Sequence, residues 1–145
     1  MAYISSNYKN NIKAPLETWV CSPSSNLEPF SEVPNEKKAR APYFCGQCVS
    51  FVKQVCPDLP SSQNWKKGSL VKGNLSISDG TIIATFNKKG KFEGHVAVYV
   101  NQNEDGIVVY DQWVTPPHPK AIGQRLLSWG AHGISNNGDL FYVVV

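Results

Sequence analysis

The stretch GQCVSFVKQV, residues 46–55, changes the character of the chain and decides its fold. Its apolar residues recur at the i, i+3, i+4 and i+7 spacing that is typical of one face of an amphipathic helix. These residues are Cys48, Phe51, Val52 and Val55. Gly46 precedes the pattern and Pro57 follows it, and both are typical of helix limits. The sequence therefore predicts a helix over residues 47–55 with a cysteine in its first turn.

Beyond this helix the apolar residues alternate with a period of two, as in half-buried β-strands. The segments with this alternation are 80–86, 94–100, 106–113 and 140–145, and the segment 124–129 is ambiguous between strand and loop. They are rich in β-branched and aromatic residues, which favour strands. A helix followed by a run of antiparallel strands predicts an α+β fold in which helices cover one side of a sheet.

The first part of the chain is polar and is interrupted by prolines. APLETWV, residues 14–20, predicts a short helix with Pro15 near its first turn, and the segment 22–36 predicts a loop.

A chain of 145 residues is typical of one domain and is long enough to bury a hydrophobic core without disulfides or metals to stabilise it. We therefore expect a single domain over 1–145, with an irregular or helical part at 1–40 and the core at 41–145.

The charge and hydropathy of the chain exclude several classes of function. The formal net charge is +3, and the lysines are scattered without an arginine-rich run, so a nucleic-acid partner is not expected. No run of apolar residues approaches the roughly 18 that a membrane span needs. The first residues lack the basic and apolar segments of a secretory signal. We expect a protein made in the cytoplasm without a signal peptide, exported by another route if it acts outside.

Two cysteines three residues apart, Cys45 and Cys48, raise the question of which chemistry they serve. A thiol oxidoreductase would use the first cysteine of such a pair and would place a buried strand before it, but residues 35–44 do not predict a strand. A zinc site needs further ligands, and His118 and His132 are isolated in the sequence. No metal or organic cofactor is therefore expected.

Cys48 is the better nucleophile of the pair. A thiol in the first turn of a helix faces unpaired backbone N–H groups and the positive end of the helix dipole, which favour the thiolate. The same N–H groups can stabilise an oxyanion. We expect Cys45, Cys21 and Cys56 to be buried structural residues. A Cys45–Cys56 bridge is not expected, because the intervening helix holds their Cα atoms roughly 12 Å apart; the partner of Cys21 stays open.

His95 is the strongest candidate for a base that activates this thiol. It opens the strand 94–100 directly after Gly94, so a rigid element aims its ring. A hairpin loop centred near Asn103 would place His95 directly opposite Asp111, at the distance at which a carboxylate holds an imidazole. A slip of one residue would place Gln112 there instead, so the third member is open between these two.

Several motifs taken together resemble a known family. GQC opening a helix, GHVAVYV on a strand and an acidic or amide residue on the next strand are similar to the CHAP and NlpC-type papain-like cysteine peptidases, which are bacterial amidases and endopeptidases of peptidoglycan. The stretches SSQNWKKGSLVKGN, GTIIATF and VVYDQW resemble compact amidases that type VI secretion delivers into rival bacteria. The resemblance implies a papain-like fold, with N-terminal helices on an antiparallel sheet of about five to six strands.

The same resemblance assigns roles to individual residues. It implies Cys48 as the nucleophile, His95 as the general base and Asp111 as the third member of the triad. The implied reaction is hydrolysis of amide bonds in peptidoglycan stem peptides through a thioester, in the periplasm of a target bacterium. A secretion apparatus and a cognate immunity protein are the implied partners. Tyr43 lies where some relatives keep an active-site tyrosine.

Two other classes of function stay open at this point. One is a non-catalytic module that binds the cell wall or a protein partner, and the other is a thiol oxidoreductase that uses Cys45 and Cys48. Trp65 and Trp113 are candidates for the walls of a substrate cleft, although aromatic residues beside a sheet more often belong to the core.

Overall fold

A six-stranded antiparallel sheet and one α-helix form the main layers of the described residues, 1–25 and 28–145, in the computed structural model. The elements in chain order are β1 (Trp19–Val20), β2 (Phe30–Ser31), α1 (Cys48–Val55), β3 (Lys67–Leu70), β4 (Ile82–Phe86), β5 (Phe92–Gln102), β6 (Gly106–Trp113), β7 (Lys120–Ser128) and β8 (Phe141–Val144). Short 3₁₀ turns lie at Pro23–Ser25, Ser62–Asn64 and Gly138–Leu140. None of the helices in the described part of the chain is long and apolar enough to cross a membrane.

The strands of the large sheet lie in the order β3-β8-β4-β5-β6-β7, and β1 and β2 form a separate two-stranded ribbon. Alternate residues of β5 enter two different apolar clusters, one on each face of the sheet. Val96 and Val98 belong to the cluster that includes Phe51 and Val52 of α1, so the helix covers this face. Burial of a side chain such as Phe51, which is fully buried, stabilises the fold by roughly 1.5–3 kcal/mol.

The opposite face of the sheet holds the second cluster. It contains Ala97, Val109, Leu127 and Phe141, with Trp129 packed against them. Because both faces of the central strands are covered, the side chains at the middle of β5 are fixed from two sides. The strand that carries His95 is therefore a rigid support.

The α+β class, the helix and the main strands are confirmed. The helix spans Cys48–Val55, the strand predicted at 106–113 is β6, and the ambiguous segment 124–129 lies largely within β7. The strand β3 was not predicted, because its sequence, KGSL, is short and has no apolar alternation. The expectation of several N-terminal helices is wrong, since α1 is the one α-helix of the described residues.

The helix predicted at residues 14–20 is also wrong. Glu17 has a φ of 68°, which interrupts a right-handed helix, and the residues that follow it pair with β2 as β1. The described residues of the segment 22–36 are mostly loop, as predicted, but they include β2. Residues 26 and 27 of that segment lie outside the described residues.

The register of the β5–β6 hairpin differs from the predicted one. Tyr99 pairs with Val109, two residues further along β6 than predicted, and the register shifts between Tyr99 and Asn101. A shift of two residues leaves every side chain on its original face. His95 and Asp111 therefore share a face as diagonal neighbours rather than as a directly opposed pair, which still lies within reach of long side chains.

Candidate active site

Cys48 is the first residue of α1, and a tight loop presents it there. Gly46 has a φ of +90°, and a Cβ atom at this position would lie 2.6 Å from Cβ of Val114. The backbone N–H of Gly46 donates to the carbonyl oxygen of Val20 at 2.9 Å. The Cys48 thiol is free and half-buried. In the first helical turn the N–H of Ser50 donates to the carbonyl oxygen of Gln47 at 3.0 Å, whereas the N–H groups of Cys48 and Val49 precede this bond and lie near the sulfur.

His95 is the fourth residue of β5, which begins two residues before the predicted strand, and its own backbone holds it there. Its N–H donates to Oγ1 of Thr85 at 3.0 Å, and the same hydroxyl donates to the carbonyl oxygen of Glu93. Gly94 has a φ of +107°, a conformation that favours glycine. His95 is 3% exposed. These contacts fix the backbone from which the imidazole projects.

Asp111 lies against the imidazole. Nε2 of His95 lies 2.8 Å from Oδ2 of Asp111, in a buried hydrogen bond. The Arg125 guanidinium donates to the same oxygen through Nε at 3.0 Å and NH2 at 2.7 Å. Nζ of Lys120 lies 3.1 Å from Oδ1. Asp111 is fully buried, so these cations compensate a charge that would otherwise be costly there.

The protonation of the pair follows from these contacts. Burial lowers the pKa of His95, but the side chains of Asp111 and then Cys48 outweigh it by hydrogen bonding and charge, and the pKa is raised from 6.5 to about 9. Burial raises the pKa of Asp111, but His95 and Arg125 outweigh it and hold that pKa well below its usual range. At neutral pH the ring is therefore an imidazolium beside a carboxylate. Since Nε2 faces Asp111, Nδ1 is the nitrogen left for Cys48.

An open pocket of about 380 Å³ gives access to the ring. It is lined by His95, Trp113, Thr115, Ser135 and Asn136. Apart from His95, these side chains are uncharged. The pocket can therefore receive a neutral polar segment, such as a peptide backbone, next to the imidazole.

Arg125 connects the pocket wall to the carboxylate. NH1 donates to Oδ1 of Asn136 at 2.8 Å, and NH2 donates to the carbonyl oxygen of Ser135 at 2.8 Å. The guanidinium also lies 4.8 Å from the centre of the Trp113 ring. Sequence reasoning missed Arg125 because it lies on the segment 124–129, whose strand character was ambiguous. A charged residue on the strand beside β6 was the signal that could have indicated it.

The remaining cysteines are not part of this site. Cys21 and Cys45 form a disulfide, while Cys56 is free and buried. All three are buried, as expected, and the partner of Cys21, which the sequence left open, is Cys45. The redox alternative needed Cys45 and Cys48 as a pair, and the structure bonds Cys45 to another partner. The ligand atoms of Cys21, Glu28 and Cys45 lie within 4.8 Å of one another, but two of them are joined as a disulfide and do not suit a metal.

The other candidates from the sequence have different surroundings. Gln112 does not face the imidazole; its amide bonds to the backbone of Val20 and Gln47. Trp65 is 1% exposed and belongs to the core, whereas Trp113 lines the pocket. The ring of Tyr43 packs near Nζ of Lys38, at 5.7 Å. The structure thus brings Cys48, His95 and Asp111 together.

Comparison with known proteins gives the kinship of this chain. A family model described as "Domesticated amidase effector 2" matches residues 25–144. The chain is 41% identical over 103 residues to a protein of that name from Ixodes scapularis, covering 68% of this chain and 70% of the relative. The chain belongs to the domesticated amidase effector 2 family. The resemblance to compact amidase effectors is therefore confirmed, and so is the prediction of an amidase.

The chain is also similar to proteins that are named as type VI secretion amidase effectors. The chain is 27% identical over 113 residues to a "Type VI secretion amidase effector 2 protein" from Salmonella typhi, covering 68% of this chain and 84% of the relative. A solved structure titled "Type 6 secretion amidase effector 2 (Tae2)" superposes with a TM-score of 0.59 at 28% identity, covering 68% of this chain and 79% of that one. The matched range of the family model includes Cys48, His95 and Asp111.

Proposed function

We propose that this chain hydrolyses amide bonds in the stem peptides of bacterial peptidoglycan, with Cys48, His95 and Asp111 as its catalytic residues. One observation carries the proposal. The free Cys48 thiol at the start of α1 forms a hydrogen bond with the His95 imidazole, which the buried Asp111 carboxylate holds at 2.8 Å and which lines an open pocket. This is the geometry of an activated nucleophile with an oriented base. Family membership supplies the reaction class.

The first half of the reaction forms an acyl-enzyme. Because the pKa of His95 is raised to about 9, the imidazole carries a proton before substrate binds and forms a hydrogen bond with the Cys48 side chain. The Cys48 sulfur attacks the carbonyl carbon, an S–C bond forms, and the N–H groups of the first helical turn stabilise the oxyanion. His95 then gives its proton to the leaving nitrogen, the C–N bond breaks, and a thioester remains on Cys48.

The second half releases the product. His95, now neutral, takes a proton from water, and the hydroxide oxygen attacks the thioester carbon. The S–C bond breaks, the carboxylic acid leaves, and the Cys48 sulfur again lies beside the protonated His95. Asp111 keeps the proton on Nε2 throughout, so that Nδ1 is always the nitrogen that exchanges protons with the sulfur and the substrate.

The fold and the biological context belong to the same proposal. A nucleophile at a helix start followed by base and acid on successive strands supports a papain-like architecture in a single domain. The names of the bacterial relatives support delivery by a type VI secretion apparatus into the periplasm of a target bacterium, where the wall lies. A cognate immunity protein in the producing cell would then be needed. The net charge of +3 favours encounter with an anionic wall.

The deciding experiment digests purified peptidoglycan sacculi and separates the released fragments by chromatography with mass spectrometry. The unmodified protein and Cys56→Ala are expected to release fragments, because Cys56 is a buried thiol outside the site. Cys48→Ala is expected to release none. Fragments from Cys48→Ala would refute the catalytic assignment. A protein that pellets with sacculi without cleaving them would instead be the non-catalytic binding module.

A further inference from the structure

Gln112 is a buried amide next to the catalytic centre whose contacts the proposed reaction does not explain. It follows Asp111 on β6, and successive side chains of a strand point to opposite faces. Its side chain is fully buried. A buried amide is costly unless its donors and acceptor find partners, so these partners indicate what the residue is for.

Three hydrogen bonds satisfy this amide. Oε1 accepts from the backbone N–H of Val20 at 2.7 Å. Nε2 donates to the carbonyl oxygen of Val20 at 3.0 Å and to that of Gln47 at 2.8 Å. Gln47 is the residue directly before the nucleophile Cys48. One side chain therefore joins three pieces of backbone: the strand that carries Asp111, the strand β1 and the start of the catalytic helix.

The connection to Gln47 distinguishes Gln112 from the other contacts of the nucleophile loop. Gly46 bonds to Val20, and Cys45 is bridged to Cys21, so both of these contacts hold the loop to β1 or its end. In the described residues, 1–25 and 28–145, Gln47 is joined to β6 by the hydrogen bond from Gln112 alone. It links the half of the site that supplies the sulfur to the half that supplies the carboxylate.

We propose that Gln112 is a positioning residue, which sets the place of the Cys48 sulfur relative to His95 by bonding the start of α1 to β6. This inference rests on the proposed function of the triad. A displacement of about 1 Å at the reacting atoms is enough to reduce turnover about a hundredfold. Glutamate does not replace the amide here, since an ionised carboxylate has no donor for the two carbonyl oxygens.

Gln102 offers a matched control at the far end of the same hairpin. Its Oε1 accepts from the N–H of Gly73 at 2.7 Å, and its Nε2 donates to the carbonyl oxygens of Val71 at 2.8 Å and Asn74 at 3.1 Å. It braces a loop through the same chemistry, but that loop carries no part of the site. Gln112→Met and Gln102→Met both remove the amide and keep a long unbranched side chain.

The test compares the two variants in three measurements: thermal unfolding, kcat and KM on purified muropeptides, and the rate at which iodoacetamide alkylates Cys48. Both variants are expected to lower the melting temperature. Gln112→Met is expected to lower kcat at least about tenfold with KM within about twofold, and to change the alkylation rate. Gln102→Met is expected to leave kcat and alkylation within about twofold of the unmodified protein.

Equal losses of kcat in the two variants would overturn the proposal, because the effect would then follow stability alone. An unchanged kcat in Gln112→Met would also overturn it. If Gln112→Met does not fold, Gln112→Asn takes its place, since the shorter amide cannot reach both Val20 and Gln47. The alkylation rate does not require hydrolysis. A protein that cleaves no muropeptide but shows the alkylation difference would refute the proposed function and keep the positioning role.

Discussion

Replacing Asp111 with asparagine removes the charge that holds the proton on His95 and keeps the size of the side chain. The pKa of His95 stands at about 9 instead of 6.5. At 1.36 kcal/mol for each pKa unit, this difference corresponds to about 3 kcal/mol in favour of the imidazolium. Burial is the largest influence on this pKa and it lowers it, so without the carboxylate the pKa of His95 should fall toward 6.5 or below.

The consequence is visible in the pH dependence of hydrolysis. The alkaline limb of kcat/KM should lie near pH 9 in the unmodified protein and move down by at least about one pH unit in Asp111→Asn. The asparagine amide can also donate to Nε2, which places the ring proton on Nδ1, facing the sulfur. We expect kcat to fall on the order of 10²- to 10⁴-fold, as for the loss of an oriented base.

The assay is fragment release from muropeptides between about pH 5 and about pH 10, followed by chromatography. Asp139→Asn is the control, because this carboxylate lies outside the site, in a half-exposed pair with Lys72 at 2.9 Å, and its loss should leave the profile unchanged. An alkaline limb that stays in place in Asp111→Asn would refute the reasoning. So would an Asp111→Asn variant that retains more than about a tenth of the unmodified kcat.

Three further predictions concern stability. Arg125→Met leaves the buried Asp111 with fewer partners and should lower the free energy of unfolding in urea by about 3 kcal/mol. Lys72→Met breaks only the half-exposed pair with Asp139 and should change that free energy by less than about 1 kcal/mol. Gly46→Ala should lower the free energy of unfolding by about 1–3 kcal/mol more than Gly90→Ala does in the same assay. Both glycines have positive φ, but only a Cβ at Gly46 would lie against Val114, at 2.6 Å. Equal losses in the two variants would contradict this packing argument. Because the folded pKa of His95 is raised, its stabilisation should be complete below about pH 6.5 and lost as the pH rises through about 9, so melting temperatures should fall over that interval and fall less in His95→Gln.

The sequence predicted those parts of the fold that local periodicity controls. The apolar spacing of Phe51, Val52 and Val55 located α1 to within one residue, and the β-branched and aromatic residues of 106–113 located β6. The faces of His95 and Asp111 followed from the alternation as well. The register itself did not, because the shift between Tyr99 and Asn101 leaves no mark in a single sequence.

Long-range pairings account for what sequence reasoning missed. Val20 forms hydrogen bonds with both Gln112 and Gly46, and this holds the neighbouring Cys21 next to Cys45. The contacts join residues that are far apart in the chain, so local sequence patterns do not reveal them. The short helix predicted at 14–20 does not form, because the same contacts favour an extended backbone at Val20. The role of Arg125 depended on a strand that was ambiguous in the sequence.

The Cys21–Cys45 disulfide places an electrophilic sulfur only three positions from the attacking thiolate. A thiolate that reached it would exchange partners with it and leave the enzyme scrambled and inactive. The structure disfavours this exchange, because Cys45 is 2% exposed and Cys21 is fully buried. Cys48 is separated from Cys45 by a glycine turn and lies in α1. Burial thus lets a structural cross-link and a working thiol share one short loop without isomerising.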